Sequence, residues 1–394
     1  MSFRVLYIDH TINKSGAAIS LGALIKSLSS RVEPHFILRT NSEVEEIIGA
    51  VGKQTYFERF MPQFMTTLRT PQYSLILFVW HLAKIPMALV KVFFIIRKWR
   101  IHLIHLNETA LLPYVFVGRL LRVPVVMHAR GATAPRPVEH FFLRQIGYLK
   151  KVAIIAIDEE TLLSFPVKCW KISHVIYNPV DLGPEPSPEE IRKMRESWGC
   201  SPNDILIGQV ASLHTSKGIW EILEFAAKIC PKYPKVRFAL VGDDRPEGGE
   251  GPQLRRAIAA RKLDGRVILT GYESELSAVY GALDIALCLF SQRLGGVGRA
   301  AYEAALAGRP LVATLPDPDS SQTVKNGLTG LVFKPADKEG ILAALCSLIE
   351  SETKRIEIGE KAKKEIGNRH LPSLVAKQVE SLYSILISRD KLKS

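Results

Sequence analysis

The chain is poor in cysteine, with five among 394 residues: Cys169, Cys200, Cys230, Cys288 and Cys346. The number is odd and no two have CxxC spacing, so neither a disulfide framework nor a zinc cluster fits, and a reducing, cytoplasmic setting is expected. The first half is poor in acid. Residues 1–180 carry 22 Lys/Arg against 11 Asp/Glu, and residues 181–394 carry 30 against 28, so the net charge of +13 lies almost wholly in the first half. Residues 51–100 hold eight basic residues and one acid, Glu58. A long uninterrupted apolar run is also missing. Residues 73–99 come nearest, but His81, Lys84, Lys91 and Arg97 interrupt them and Pro86 sits in the middle. A spanning helix needs about 20 apolar residues with few charges. The stretch reads as a long helix, either partly buried or lying on a membrane surface. No secretory leader is expected, because the apolar run after Met1-Ser-Phe-Arg4 stops at Asp9. No repeat or low-complexity tract appears.

What is present is a large apolar fraction, 47%, enough for a sizeable core and incompatible with a disordered chain. The length suggests two domains. Short Val/Ile/Leu-rich strands alternate with helical stretches. They are expected at Arg4–Ile8, His35–Arg39, His102–Leu106, Val125–His128, Val152–Ile157 and His174–Tyr177. Residues 42–72, mixing Tyr56, Phe57, Arg59, Phe60, Phe64 and Arg69, are expected to form one or two irregular helices. After Asn178-Pro-Val-Asp181 and a loop containing Pro184, Pro186 and Pro188, a second series begins. Its strands are expected at Ile205–Val210, Val236–Val241, Val267–Thr270, Ile285–Leu289, Leu311–Ala313 and Gly330–Phe333. The class is α/β, with two doubly wound parallel sheets. Such sheets bind ligands beyond the carboxyl ends of their strands.

The sharpest motif is Leu294-Gly-Gly-Val-Gly-Arg-Ala-Ala-Tyr-Glu303, which leaves a strand and enters a helix. Gly295, Gly296, Val297 and Gly298 let backbone amides approach a phosphate, and the helix dipole favours its charge. Arg299 adds a cation in the first turn. Glu303 lies one turn further on the same face and suits a pair of sugar hydroxyls. A simple tight turn is the plain alternative. Gly208-Gln-Val-Ala-Ser-Leu-His-Thr-Ser-Lys217-Gly218 places a lysine at another helix start, where the dipole disfavours it unless an anion is present. A solvated surface lysine is the plain alternative there.

These stretches occur in an order that resembles the family-4 glycosyltransferases, the retaining GT-B enzymes. Val175-Ile-Tyr-Asn178-Pro-Val-Asp181 is similar to the family's "VIPNGVD", and Gly208–Gly218 to "GxVARLxxxKG". Phe238-Ala-Leu-Val-Gly242-Asp is similar to "LxLVGDG", and Ile268-Leu-Thr-Gly271 to "VxFLG". Gly296–Gly308 is similar to "GFGxxxxEAMACG", and Asn326-Gly-Leu-Thr-Gly330-Leu-Val-Phe333 to "NGxTGLLV". The likeness covers about 175–335, and more loosely Ser15-Gly-Ala-Ala18, near the family's "GGAE" loop. It implies two Rossmann-like domains facing across a cleft, with residues 1–178 binding the acceptor and 179–370 the nucleotide-sugar donor. The helix and tail of 371–394 are expected to return to the first domain. Gly16, Ser212, Lys217, Gly271, Gly295, Gly296, Val297, Gly298, Arg299 and Glu303 are the expected donor contacts. Two positions depart from the family: its first motif glutamate falls at Gly295 and its phosphate-binding arginine at Ser212. Arg293 or Arg299 can supply a cation in its stead. No metal or cofactor is expected, because cations and helix N-termini neutralise the diphosphate. Asp243-Asp244 is better explained as the family's turn than as a metal pair.

For the acceptor half, His128 and Arg130 near a strand end suit a reacting sugar and an anionic leaving group, so His128, Arg130 and Glu303 are the expected catalytic residues. Asn107, Glu108 and Arg130 are the expected acceptor contacts. The basic, apolar stretch 53–100 suits an anionic membrane surface. The reading is thus a peripheral membrane glycosyltransferase acting on a lipid-linked or cell-surface glycan from a UDP- or GDP-sugar, with a non-catalytic nucleotide-sugar-binding protein as the alternative. Nucleic acid is not an expected partner, since the basic residues alternate with apolar runs and no recognition motif appears.

Overall fold

The computed structural model describes residues 2–12, 15–48, 51–59, 61, 75–131, 137–243, 250–290, 297–319, 321 and 324–388, with residues 75–84, 137–139 and 368 as backbone only. The chain divides into two compact units, one made of Met1–Pro179 with His370–Ser394 and one of Val180–Arg369.

In the first unit the order is β1 (Phe3–Asp9), α1 (Gly16–Ser27), β2 (Val32–Arg39), α2 (Val44–Ile48), β3 (Gln54–Glu58), α3 (Leu75–Trp99), β4 (Leu103–Leu106), α4 (Tyr114–Leu121), β5 (Val125–Ala129), α5 (Pro137–Ile146), β6 (Val152–Ala156), α6 (Glu159–Leu163), α7 (Val167–Trp170) and β7 (Ser173–Val175). Among the described residues the sheet is parallel, in the order β3-β2-β1-β4-β5-β6-β7. Alternate side chains of one strand serve opposite layers, as the two-residue period requires. Leu6 and Ile8 join Val92, Ile96, Tyr114, Leu143 and Ile146 of α3, α4 and α5. Val5 and Tyr7 join Leu21 and Leu24 of α1 on the other face.

Residues 54–58 correct the expectation of helix there. They form β3, an edge strand paired in parallel with β2. Its Phe57 is exposed and its Glu58 buried against Lys91, whose Nζ lies 3.0 Å away, so the mixed aromatic and charged composition is that of an edge strand with one wet face. Phe60, Phe64 and Arg69 lie outside the described residues. Among the described residues no helix is long and apolar enough to cross a membrane.

The second unit continues with α8 (Pro188–Ser197), β8 (Ile205–Val210), α9 (Ile219–Ile229), β9 (Val236–Val241), α10 (Gly251–Ala260), β10 (Val267–Gly271), α11 (Leu276–Ala282), β11 (Ile285–Cys288), α12 (Arg299–Leu306), β12 (Leu311–Thr314), β13 (Leu331–Phe333), α13 (Lys338–Glu350) and α14 (Glu352–His370). Its described strands form a parallel sheet in the order β10-β9-β8-β11-β12-β13, so the order reverses between β8 and β11. The proline-rich stretch expected as loop contains α8. There Ser187 and Glu190 form a capping box, and Pro188 occupies the first turn, where it costs no hydrogen bond.

The last helix, α15 (Pro372–Ser388), belongs to the first unit. It packs on α1 and buries Val375, Val379, Leu382, Tyr383 and Leu386 in the same layer as Tyr7 and Phe36. Glu380 accepts hydrogen bonds from Ser29 N at 2.5 Å and Ser29 Oγ at 2.9 Å.

Candidate functional site

In the second unit the described donor candidates follow the carboxyl ends of strands, Ser212 and Lys217 after β8 and Val297–Glu303 after β11, on the two sides of the reversal of strand order, with Gly271 apart at the end of the edge strand β10. Gln209, near the end of β8, sets this edge. Its Oε1 accepts from Leu289 N at 2.7 Å, and its amide donates to the Lys217 carbonyl. Lys217 thereby stands over the residues that follow β11, its ammonium 4.9 Å from the centre of the Phe290 ring. It ends a short 3-10 turn (Thr215–Lys217), one residue before α9. Gly271 ends β10 and its carbonyl accepts from Gly242 N at 2.9 Å. Ser212 follows β8 and is exposed.

Gly298 caps α12 with φ +83°, a conformation that favours glycine, and offers no side chain to the first-turn amides of the helix. Val297 is buried, and its carbonyl accepts from Cys288 Sγ at 2.9 Å. Arg299 and Glu303 lie one turn apart, Nε to Oε1 at 2.6 Å, both almost fully buried. Tyr280 donates to the other Glu303 oxygen at 3.0 Å. Burial and the Glu303 charge push the Tyr280 hydroxyl well above the ordinary phenol range, so it is a donor at any physiological pH. Each carboxylate oxygen has two lone pairs, so one on each remains for a diol. Sequence reasoning missed Tyr280, since the motif around Glu303 gives no sign of a partner 23 residues upstream. Gly295, Gly296, Arg293 and Asp244 lie outside the described residues.

In the first unit, polar residues from several strand ends meet at the carboxyl edge of the sheet. Asp9 ends β1, Asn107 follows β4, Arg130 follows β5 and Asn178 follows β7. Asn107 donates to Asp9. Its Oδ1 accepts from Arg130 Nε at 2.9 Å and Nη2 at 2.6 Å, and Asn178 Oδ1 accepts from Arg130 Nη1 at 2.5 Å. The guanidinium is therefore clamped in one orientation, able to hold an oxyanion with little reorganisation. Asn107 and Arg130 are thus brought together, with Asp9 and Asn178 as partners that sequence reasoning did not select. Glu108 turns aside: its carboxylate accepts from Thr109 N at 2.9 Å and caps a 3-10 turn. Gly16 opens α1, which Ser15 caps by accepting from Ala18 N at 3.2 Å.

His128 lies within β5, fully buried, in a chain of polar rings. Its Nδ1 is 3.1 Å from His105 Nε2, His105 Nδ1 is 2.6 Å from Tyr383 Oη, and Tyr383 Oη is 3.2 Å from Tyr7 Oη. Its Nε2 is buried without a hydrogen-bond partner. Burial first, and the Arg130 charge second, hold both histidines well below the usual imidazole range, so both are neutral near pH 7. Among the described residues no group of three or more His, Cys, Asp or Glu could hold a metal ion.

Comparisons with known proteins bear on the fold and on the family that the second half resembles. Residues 190–365 match the family described as glycosyl transferases group 1. The chain is 23% identical over 202 residues to the capsular polysaccharide biosynthesis glycosyltransferase CapM of Staphylococcus aureus, covering 51% of this chain and 52% of that one. It is 28% identical over 210 residues to a trehalose synthase of Thermococcus litoralis, covering 52% and 49%. The chain thus spans about half the length of the relatives it matches. Among solved structures, Anabaena Alr3699/HepE in complex with UDP superposes with a TM-score of 0.78 at 21% identity, covering 97% of this chain and all of that one. A Rickettsia africae glycosyltransferase gives 0.81 at 16% identity, covering 98% and 99%. The chain has the GT-B fold of these solved structures, and within it residues 190–365 resemble the glycosyl transferases group 1.

Proposed function

We propose that the protein transfers a sugar, with retention of configuration and without a metal, from a UDP- or GDP-sugar to a lipid-linked or cell-surface glycan. The observation that carries this is Glu303, held between Arg299 and Tyr280 one turn inside the uncapped start of α12. A carboxylate so placed suits a ribose diol, and the first-turn amides with Arg299 and Lys217 suit the diphosphate. UDP is the first nucleotide to test, because the HepE structure of the same fold holds it. The capsular polysaccharide enzyme among the relatives supports a glycan acceptor. In the first unit, the clamped Arg130 and the open nitrogen of His128 are assigned to the leaving group and the reacting sugar. Peripheral attachment to an anionic membrane at its cytoplasmic side completes the reading.

Nucleotide binding tests it. Millimolar UDP or GDP is expected to raise the melting temperature, and Glu303→Ala to weaken binding by about tenfold or more, the loss of charge-assisted hydrogen bonds. Because that change strands a buried Arg299, Glu303→Gln serves as the second variant. Absence of any shift with either nucleotide would sink the donor assignment. Gly295 and Ser212 favour a second reading, a binder without turnover. Product formation or donor hydrolysis by the unaltered protein removes it.

A further inference from the structure

The helix layer that covers one face of the first sheet contains an open cleft of about 460 Å³ that sugar transfer does not use. It lies where the end of α5 meets α7. His140, Arg144 and Tyr148 follow one another at four-residue spacing and line one side, and Val167, Lys168 and Lys171 line the other. Tyr148 precedes β6 and α7 precedes β7, so the cleft sits at the amino edge of the sheet, opposite the edge that holds Asp9, Asn107, Arg130 and Asn178.

The cleft is a built feature. Cys169 is fully buried and its thiol donates to Leu143 O at 3.1 Å, tying α7 to α5. A Cβ on Gly147 would stand 2.8 Å from the Lys168 carbonyl oxygen, so only glycine permits this approach of the two backbones. The lining is one-sided in charge. Arg144, Lys168 and Lys171 are cations, and no carboxylate is among the described residues that line the cleft. Two of these cations crowd one ring: Lys168 Nζ is 4.8 Å and Lys171 Nζ 5.7 Å from the centre of Tyr148. Each such contact is favourable, and together with Arg144 the two lysines concentrate positive charge at the cleft. Exposed Phe141, Tyr148, Val167 and Trp170 surround the cations, a pairing of apolar side chains and basic heads that suits the headgroup level of a bilayer.

We propose that this cleft binds a phosphate group, with Lys168, Lys171 and Arg144 as its ligands. The exposed apolar side chains beside the cations, on or just after helices of the layer that also holds α3 and α4, point to the phosphate of a membrane lipid. A soluble phosphate or diphosphate is the other source of the same chemistry.

The full chain and its Lys168→Ala/Lys171→Ala variant are compared in two assays. These are co-sedimentation with phosphatidylglycerol–phosphatidylcholine vesicles and titration with inorganic diphosphate. Both lysines are exposed, and an unchanged melting temperature confirms the variant's fold. About thirtyfold weaker vesicle binding by the variant, at about 1 kcal/mol per cation, supports the lipid source. Diphosphate binding by the unaltered protein that the variant loses, with equal vesicle binding, supports the soluble source. Equal behaviour of both proteins in both assays overturns the proposal. UDP binding by the same preparations keeps that result separate from a failure of the transferase reading.

Discussion

At the scale of single residues, the polar groups that matter are ones whose neighbours set their state. His105 and His128 are buried and share a hydrogen bond, and their pKa values lie well below the ordinary 6.5. In the unfolded chain each takes up a proton as the pH falls through that value, whereas in the folded chain it stays neutral. Their contribution to stability is therefore present above about pH 6.5 and is lost progressively below it. One pH unit lower, the loss is on the order of 1 kcal/mol per histidine. Urea unfolding of the first unit at pH 7.0 and 5.5 is expected to show this loss, and His105→Phe with His128→Phe to flatten the slope. An equal slope in the double variant would remove these histidines as its source. Of the two, only His128 was legible as a candidate in the sequence, because it lies near Arg130. His105 and Tyr383 are 278 residues apart in the chain and meet only through tertiary packing.

At the scale of elements, the second part of the apolar, basic stretch resolves into α3, which packs on α4. Met87, Val90 and Phe94 on α3 and Phe116 and Leu120 on α4 are exposed, with Phe94 at 64% and Leu120 at 73%. Arg97, Lys98, Arg119 and Arg122 lie on or directly after the same helices, and neither helix contains an acid. Exposed apolar ridges of this size mark interaction surfaces. Phe94→Ser with Leu120→Ser is expected to weaken binding to anionic vesicles by about tenfold, through lost apolar burial. If the unaltered protein binds neutral vesicles equally well, the electrostatic part of this reading fails. The helix itself was legible because its length and spacing are local. The partnership with α4 was not, since it depends on strand order. The strand β3 was missed because an edge strand lacks the continuous apolar run of a central one. The helix α8 was missed although Ser187 and Glu190 signal a helix start, because three prolines nearby drew the reading toward loop.

At the scale of the whole molecule, the alternation of strands and helices was legible, because parallel sheets covered on both faces leave that rhythm in the chain. The two-part division was read from the length and from the second series of strands after Asn178, and the return of the last helix from the family resemblance. The helix α15 buries five large side chains in the core of the first unit. At about 1.5–3 kcal/mol each, an upper estimate, their sum is comparable with the net stability of a whole domain. Removing residues 371–388 is therefore expected to abolish cooperative unfolding of the first unit while the second keeps its own transition in a calorimetric scan. Two intact transitions in the truncated chain would contradict this. The same division has a consequence for biosynthesis. The first unit begins to emerge from the ribosome first and is completed last, because α15 follows the entire second unit in the chain. At the usual 5–20 residues per second, the 190 residues of Val180–Arg369 take roughly 10–40 s to make. During that interval the apolar side of α1 and its sheet waits uncovered, while the second unit has time to fold. The nascent chain thus passes through a period in which its earlier half exposes apolar surface that only its own last helix later covers.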